Sequence, residues 1–294
     1  MQHVIQQVVN ALALGSIYAL VALGLGIVFS ILGLVNFAYG ELLTLAGYTM
    51  YLVAKGNIPW ALVVLCALIA PILGSLLFER VVFRPMRGAP ATTLLLASFA
   101  LSLIVQNLYL AIFGGEPKAI HYPAWLGESV HVLGIRLGWL DIVTFVLTIT
   151  TMTVLTLFLR RTTLGISLRA AAEDVDTTRM MGIRVNRVVI TAFVISGLLA
   201  GIAGILWLAG SGTVDATSGQ VPLVKGFIAA VVGGLGSLVG AGAAGFLIGA
   251  LEVSLRNILP SGIAGLTEAI VFVILIAVLL LRPNGLFSTR ERAA

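Results

Sequence analysis

Charge is what this chain has least of. Only 10% of its 294 residues are Asp, Glu, Lys or Arg, while 60% are hydrophobic. Soluble domains carry about 25% charged residues. A chain this apolar cannot cover a water-facing surface, so lipid must be its solvent, and a mean hydropathy of +1.12 agrees. Cysteine is limited to Cys66, inside an apolar run, which excludes a disulfide framework and reads as a packing residue. Lysine occurs only at Lys55, Lys118 and Lys225, and none of them follows a glycine. A Walker A loop needs Gly-Lys followed by Ser or Thr to hold phosphates. This chain therefore cannot hydrolyse ATP by that route, and any ATP energy must come from another subunit. His3, His121 and His131 stand at no ligand spacing, so no metal site is expected. There is no Gly-x-Ser-x-Gly elbow and no convincing nucleophile–base pair, so no catalytic residue is assigned and the chain is not read as an enzyme.

What the chain does have is long apolar runs. Nine can be drawn, at roughly 5–29, 38–54, 60–78, 91–113, 140–159, 188–208, 222–235, 239–257 and 264–281. A spanning helix needs roughly 20 apolar residues. The expected fold is therefore an all-α, polytopic helical bundle, one transmembrane unit over 1–294 with about eight to ten membrane segments. One or two of these are expected to be broken or half helices, the short run at 222–235 first among them. A transmembrane barrel would show short alternating segments instead. The first run is too long for a signal peptide and has no basic flank, so it reads as a retained helix. Glycine is abundant, at 33 residues, as suits closely packed membrane helices.

The net charge of +5 does not point to nucleic acid, because the arginines gather in a few loops. Arg80, Arg84 and Arg87 follow the third run, Arg160 to Arg187 follow the fifth, and Arg282, Arg290 and Arg292 follow the last. With nine crossings these groups share one side, which the positive-inside rule makes cytoplasmic. The N-terminus is then outside and the C-terminus inside. An external loop covers about 114–139, and its apolar content suggests that it lies on the membrane or under a partner.

The internal loop at about 160–187 is the most informative. Glu173, Asp174 and Asp176 gather where a short helix would start, which suits the positive end of its dipole. Met180 and Met181 end it, and Gly182 takes the position after the cap. Such a helix is built either to insert into a partner's groove or to serve as a solvated connector.

Ionisable groups at membrane depth cost ~2.5–3.5 kcal/mol on insertion scales, so each needs a reason. Lys225 reads as snorkelling from a helix end, Glu268 as reaching the headgroups, and Glu252 as pairing with Arg256 at i,i+4. Glu41 follows Asn36, Tyr39 and Gly40 in a break between apolar runs, as in transporters with interrupted helices; a plain turn is the other reading. A second break spans 233–242, with Gly233, Gly234 and Gly236. Its Gly236/Gly240 and Gly245/Gly249 spacings favour close helix packing. Asn36, Glu41, Gly233, Gly234, Gly236 and Glu252 are the candidates for a pathway or gate. No obvious charged clamp for a ligand is apparent.

Several segments resemble branched-chain amino-acid ABC transporter permeases of the LivH type, a family that includes urea and amide relatives. These are GSIYALVALGLGIVFSILGLVNFAYGELLTLAGY (15–48), FERVVFRPMR (78–87), RAAAEDVDTTRMMGIRVNRVVITAFVISGLLAGIAGIL (169–206), VKGFIAAVVGGLGSLVGAGAAGFLIGALE (224–252) and RPNGLF (282–287). The resemblance covers nearly the whole chain in order. It implies a permease subunit of a binding-protein-dependent importer in a bacterial inner membrane. It further implies a second, LivM-like permease, two cytoplasmic ATP-binding subunits that hold ATP and Mg, and a periplasmic or lipid-anchored substrate-binding protein. The chain itself would need no cofactor. The family's coupling segment corresponds to Arg169, Glu173, Asp174, Asp176, Arg179, Met180, Met181 and Gly182. The reading from a different class is an ion-gradient-driven transporter, which needs paired carboxylates; Glu41 and Glu252 are the plausible pair. A passive channel or structural subunit would leave the acidic–Met helix unexplained.

Overall fold

The computed structural model describes residues 2–56, 58–132, 135–234, 237–259 and 266–281. Each of the nine apolar runs carries a helix. These are α1 (Gln2–Leu32), α2 (Tyr39–Ala54), α3 (Trp60–Phe78), α4 (Ala91–Phe113), α6 (Trp139–Arg161), α9 (Val185–Ser211), α10 (Gln220–Gly233), α11 (Leu238–Ile258) and α12 (Thr267–Leu281). Three more helices, α5 (Ala124–Gly127), α7 (Thr163–Glu173) and α8 (Val175–Met180), lie within the expected loops, α8 where a short helix was expected. A π-helical turn, Glu79–Phe83, extends α3. Among the described residues, six helices are long and apolar enough to cross a membrane. The other three of the nine, α2, α10 and α12, have only 16, 14 and 15 residues.

The fold is not purely helical. Strand β1 (Lys118–Ala119) pairs antiparallel with β4 (Thr213–Val214), and β2 (Ser129–Val132) with β3 (Ile135–Gly138). The expected 114–139 loop is thus an ordered cap that includes α5, with Ile120 and Leu126 buried.

Helix α1 is the centre of the bundle. Its residues from Gly15 to Val28 are buried on all sides, as a core helix of uniformly apolar composition should be. Glycines set how closely its neighbours approach. Gly245 lies on Ala19 and Gly249 on Gly15, where an added Cβ would run into the α1 backbone. This is the close packing that the Gly245/Gly249 spacing predicts.

Helix directions follow from paired contacts. Tyr18 meets Trp207 and the Ser196 hydroxyl donates to Gly24 O, so α1 and α9 are antiparallel. Gly204 meets Leu43 and Gly47 meets Leu208, so α2 runs parallel to α9. Ser75 donates to Phe193 O while Gly201 packs on Ala67 and Leu68, so α3 opposes α9. Helix α11 opposes α1 through the Gly15–Gly249 seam.

These directions reveal an inverted relation between the two ends of the chain. A long helix, a break and a half-helix occur as α1–α2 and again, in the opposite sense, as α9–α10. Both long helices end at a left-handed glycine, Gly33 (φ 65°) and Gly212 (φ 72°). Each donates its amide four residues back, to Phe29 O at 2.8 Å and Leu208 O at 2.9 Å. The break that matches Asn36–Glu41 is therefore 212–219. The 233–242 segment assigned from sequence is instead the turn between α10 and α11.

Candidate translocation and coupling sites

One face of the bundle brings Arg87 and Arg179 together. The ends of α1 and the π turn and the starts of α4, α8 and α9 surround one cavity of about 540 Å³ there, with Arg87 and Arg179 in its wall. Arg87 donates to Asn186 at 2.7 Å and pairs with Glu79.

The 160–187 connection folds as an elbow of two helices on this face. Thr162 caps α7, accepting from the Gly165 amide at 3.0 Å. Gly165, Leu168 and Ala171 form the buried stripe of α7, the spacing of an amphipathic helix lying on a surface. Asp174 then ends α7 and starts α8. The acidic cluster expected at the head of one helix straddles a junction instead, with Glu173 the last residue of α7 and Asp176 in the first turn of α8.

Asp174 accepts from the amides of Asp176 at 2.8 Å and Thr177 at 3.1 Å, and from the Thr177 hydroxyl. The Thr177 hydroxyl first, then these amides, hold its carboxyl below its ordinary value near 3.8. Arg179 pairs with Asp176 at 3.8 Å, both exposed. Helix α8 ends at Met180, and Gly182 (φ 82°) turns the chain. Met180 and Met181 are left 80% and 75% exposed. Arg169 sits on α7, ahead of this elbow.

The half-helices α2 and α10 meet in the interior. A Cβ on Gly40 would stand 2.9 Å from Gly219 O, and one on Gly219 would strike Gly40 O. The Gly219 amide donates to Thr44 Oγ1 at 3.0 Å. Buried Asn36 closes the α1–α2 break by accepting from the Ala38 amide at 3.0 Å. Glu41 follows, buried, and its Oε1 accepts from Ser102 Oγ at 2.9 Å and Gln106 Nε2 at 2.8 Å. Tyr109 donates to Glu41 O at 2.9 Å. Ser98, Ser102, Gln106 and Tyr109 form the buried stripe of α4. That polar stripe was missed from sequence, although its 4-4-3 spacing is the signal of one helix face.

A separate network surrounds Glu252. Lys225 is not a snorkelling side chain: it is buried and donates to both Glu252 oxygens at 2.9 and 3.0 Å. Tyr18 donates to Glu252 at 2.9 Å and Arg256 at 2.6 Å, the latter being the i,i+4 pair expected from sequence. Glu268 is half-exposed and accepts from Lys225 at 3.3 Å rather than only reaching outward. Four helices, α1, α10, α11 and α12, are tied here.

The sequence-predicted pathway residues thus fall in three places. Asn36 and Glu41 come together against α4. Gly233 packs on Gly240, with Gly234 (φ 96°) turning the chain beside it. Glu252 belongs to the charge network, and Glu41 and Glu252 share no partner. Gly236 lies outside the described residues, as does the 282–287 segment. Among the described residues, none of Asn36, Glu41, Gly233, Gly234 and Glu252 lines the 540 Å³ cavity or the two others of about 540 and 510 Å³ near the opposite face.

A half-helix pair, an elbow with an exposed apolar tip and multiple apolar crossings are parts of a transport protein. The model of the family described as branched-chain amino acid transport system / permease component matches residues 7–279. The chain belongs to this family. It is 34% identical to the Pseudomonas aeruginosa high-affinity branched-chain amino acid transport system permease protein BraD, over 98% of this chain and 97% of the relative. It is 30% identical to the Salmonella typhimurium permease protein LivH and 29% to the Escherichia coli K12 LivH, each over 98% of this chain and 97% of the relative. The protein is a multi-pass membrane permease component.

Proposed function

We propose that this permease component takes up branched-chain or other small amino acids, using ATP hydrolysed by partner subunits. On this reading it forms half of the membrane pathway with a second, LivM-like permease. Two cytoplasmic ATP-binding subunits hold ATP and Mg, a periplasmic or lipid-anchored binding protein delivers the substrate, and this chain needs no cofactor and hydrolyses nothing. The Arg-rich face is cytoplasmic, in a bacterial inner membrane, with the N-terminus outside and the C-terminus inside. The ATPases close on ATP, push the α7–α8 elbow, and switch the pathway between inward- and outward-facing forms.

The observation that carries this is the tip of α8. A six-residue helix is marginal alone. Presenting two methionines at 80% and 75% exposure beside a row of arginines suits docking into a partner more than solvation. Burying two Met side chains would supply about 3–6 kcal/mol before ordering costs. An ion-gradient mechanism has less support, because Glu41 and Glu252 accept from disjoint sets of donors.

The test is Met180→Asp with Met181→Asp, co-expressed with the partner ATPase and binding-protein subunits. The variant is expected to insert and melt like wild type, lose co-purification of the ATPase and abolish uptake. Recovery of the ATPase at wild-type yield, with normal uptake, would sink the docking role.

A further inference from the structure

We propose that strand β1 is a latch on the α9–α10 break, and that it must let go of β4 for this half of the pathway to open outward. This deepens the uptake reading and rests on it. Helix α9 starts at Val185, in the wall of the Arg87–Arg179 cavity, and ends at Ser211. The break that follows, 212–219, therefore begins at the opposite end of the bundle. It finishes at Gly219, which touches Gly40 where the two half-helices meet. A tether on the near end of the break thus reaches that junction through the break itself.

Strand β1 is such a tether. Lys118 stands opposite Val214 and Ala119 opposite Thr213, and the Ile120 amide donates to Gly212 O at 2.9 Å. Ile120 is its peg, buried in one apolar cluster with Tyr48, Tyr109, Leu208, Val214 and Ala216. Val214 is fully buried against α2, where a Cβ on Gly47 would stand 2.9 Å from its Cγ2. Tyr109, in the same cluster, donates to Glu41 O at 2.9 Å. The cap, the break and both half-helices therefore share one set of contacts.

The joint is built to be released. A two-residue pairing is marginal by itself. Apart from Ile120 and the partly buried Lys118, residues 114–122 are exposed. Gly114 (φ 79°) and Gly115 precede the strand, and an added Cβ at either would have nothing within 4 Å. They leave a pivot at the end of α4. The rest of the break is held by its own bonds: Asp215 accepts from the Thr217 amide at 2.7 Å, and Trp207 Nε1 donates to Ser218 O at 3.1 Å. Opening that starts at this end would part β1 from β4 and leave the break itself folded.

The test locks the latch. The Ile120–Gly212 bond makes Ala119–Thr213 the next, non-hydrogen-bonded pair, where facing side chains come closest, and both residues are exposed. Ala119→Cys with Thr213→Cys is made in a Cys66→Ser background. The full transporter is placed in proteoliposomes with ATP enclosed and the binding protein outside. Oxidation should close the disulfide and abolish leucine uptake, and dithiothreitol should restore it. Each single cysteine should be insensitive to the oxidant. A second measurement needs no cross-link. Val214→Cys, buried here, should react with an external membrane-impermeant maleimide faster with enclosed ATP than without. Full uptake with the disulfide closed, or equal maleimide rates with and without ATP, would overturn the latch.

The readouts separate the two readings. If wild-type vesicles take up no leucine yet the Val214→Cys rate still rises with ATP, only the import reading falls. If uptake proceeds through the closed disulfide, only the latch falls.

Discussion

The amide of Gly219 donates to the hydroxyl of Thr44 at the point where the two half-helices touch. No side chain fits between them: a Cβ on Gly219 would overlap Gly40 O and approach Thr44 Oγ1 to 2.8 Å. Gly219→Ala should therefore lower stability by about 1–3 kcal/mol through overpacking. Fluorescence-detected thermal melting in detergent would read this as a lower midpoint and reduced folded yield. Gly26→Ala, where an added Cβ has nothing within 4 Å, should be neutral or stabilising. Equal damage at both positions would refute the packing account.

Removing one partner of a buried ion pair costs more than removing both. Lys225→Met leaves the Glu252 carboxylate with Tyr18 and the partly exposed Arg256. It should destabilise by on the order of 3 kcal/mol. Adding Glu252→Gln should recover much of the loss. A double-mutant cycle on the melting midpoints checks this; purely additive losses would mean the pair is not energetically coupled.

Asp174 makes the elbow pH-dependent. Its carboxyl titrates below the ordinary value near 3.8 in the folded chain. Its stabilisation is thus complete at pH values above that ordinary value and is lost as pH falls through the lowered folded value. Hydrogen-exchange protection of the Asp176 and Thr177 amides should fall over that acidic window after correction for intrinsic rates. Asp174→Asn should show no such window, and Asp174→Ala should weaken α8 at all pH values. An unchanged profile in Asp174→Asn would mean another group is responsible.

The sidedness is checked with single cysteines in a Cys66→Ser background. Val175→Cys should react with a membrane-impermeant thiol reagent only from the cytoplasmic side, and Tyr122→Cys only from outside. Labelling of position 175 in intact cells would invert the arrangement.

Much of the fold was legible because it rests on composition. Runs of about 20 apolar residues admit few alternatives, and all nine carry helices. Glycine spacing identified the Gly245–Gly249 seam for the same reason, since small residues four apart make a groove. What sequence misplaced depends on tertiary partners. Lys225 near a helix end gives no sign that Glu252 on the next helix will bury it. The break at 212–219 contains Asp215, Thr217 and Ser218 and looks like a surface turn. The opposed directions of α1 and α9, the left-handed ends at Gly33 and Gly212 and the contact with Gly40 make it the counterpart of Asn36–Glu41. The elbow was divided wrongly because Asp174 serves as both an end and a beginning, which a periodicity read along one helix does not register.

The placement of α1 has a consequence for how the protein is made. Helix α1 precedes in the chain the described helices that enclose it, and Tyr18 finds Glu252 234 residues later. Until α11 is synthesised, the small-residue seam at Gly15 and Ala19 faces lipid or a chaperoning insertase. Any chain truncated before α11 therefore displays an unfilled groove along its central helix, and membrane quality control could read that groove as the mark of an incomplete subunit.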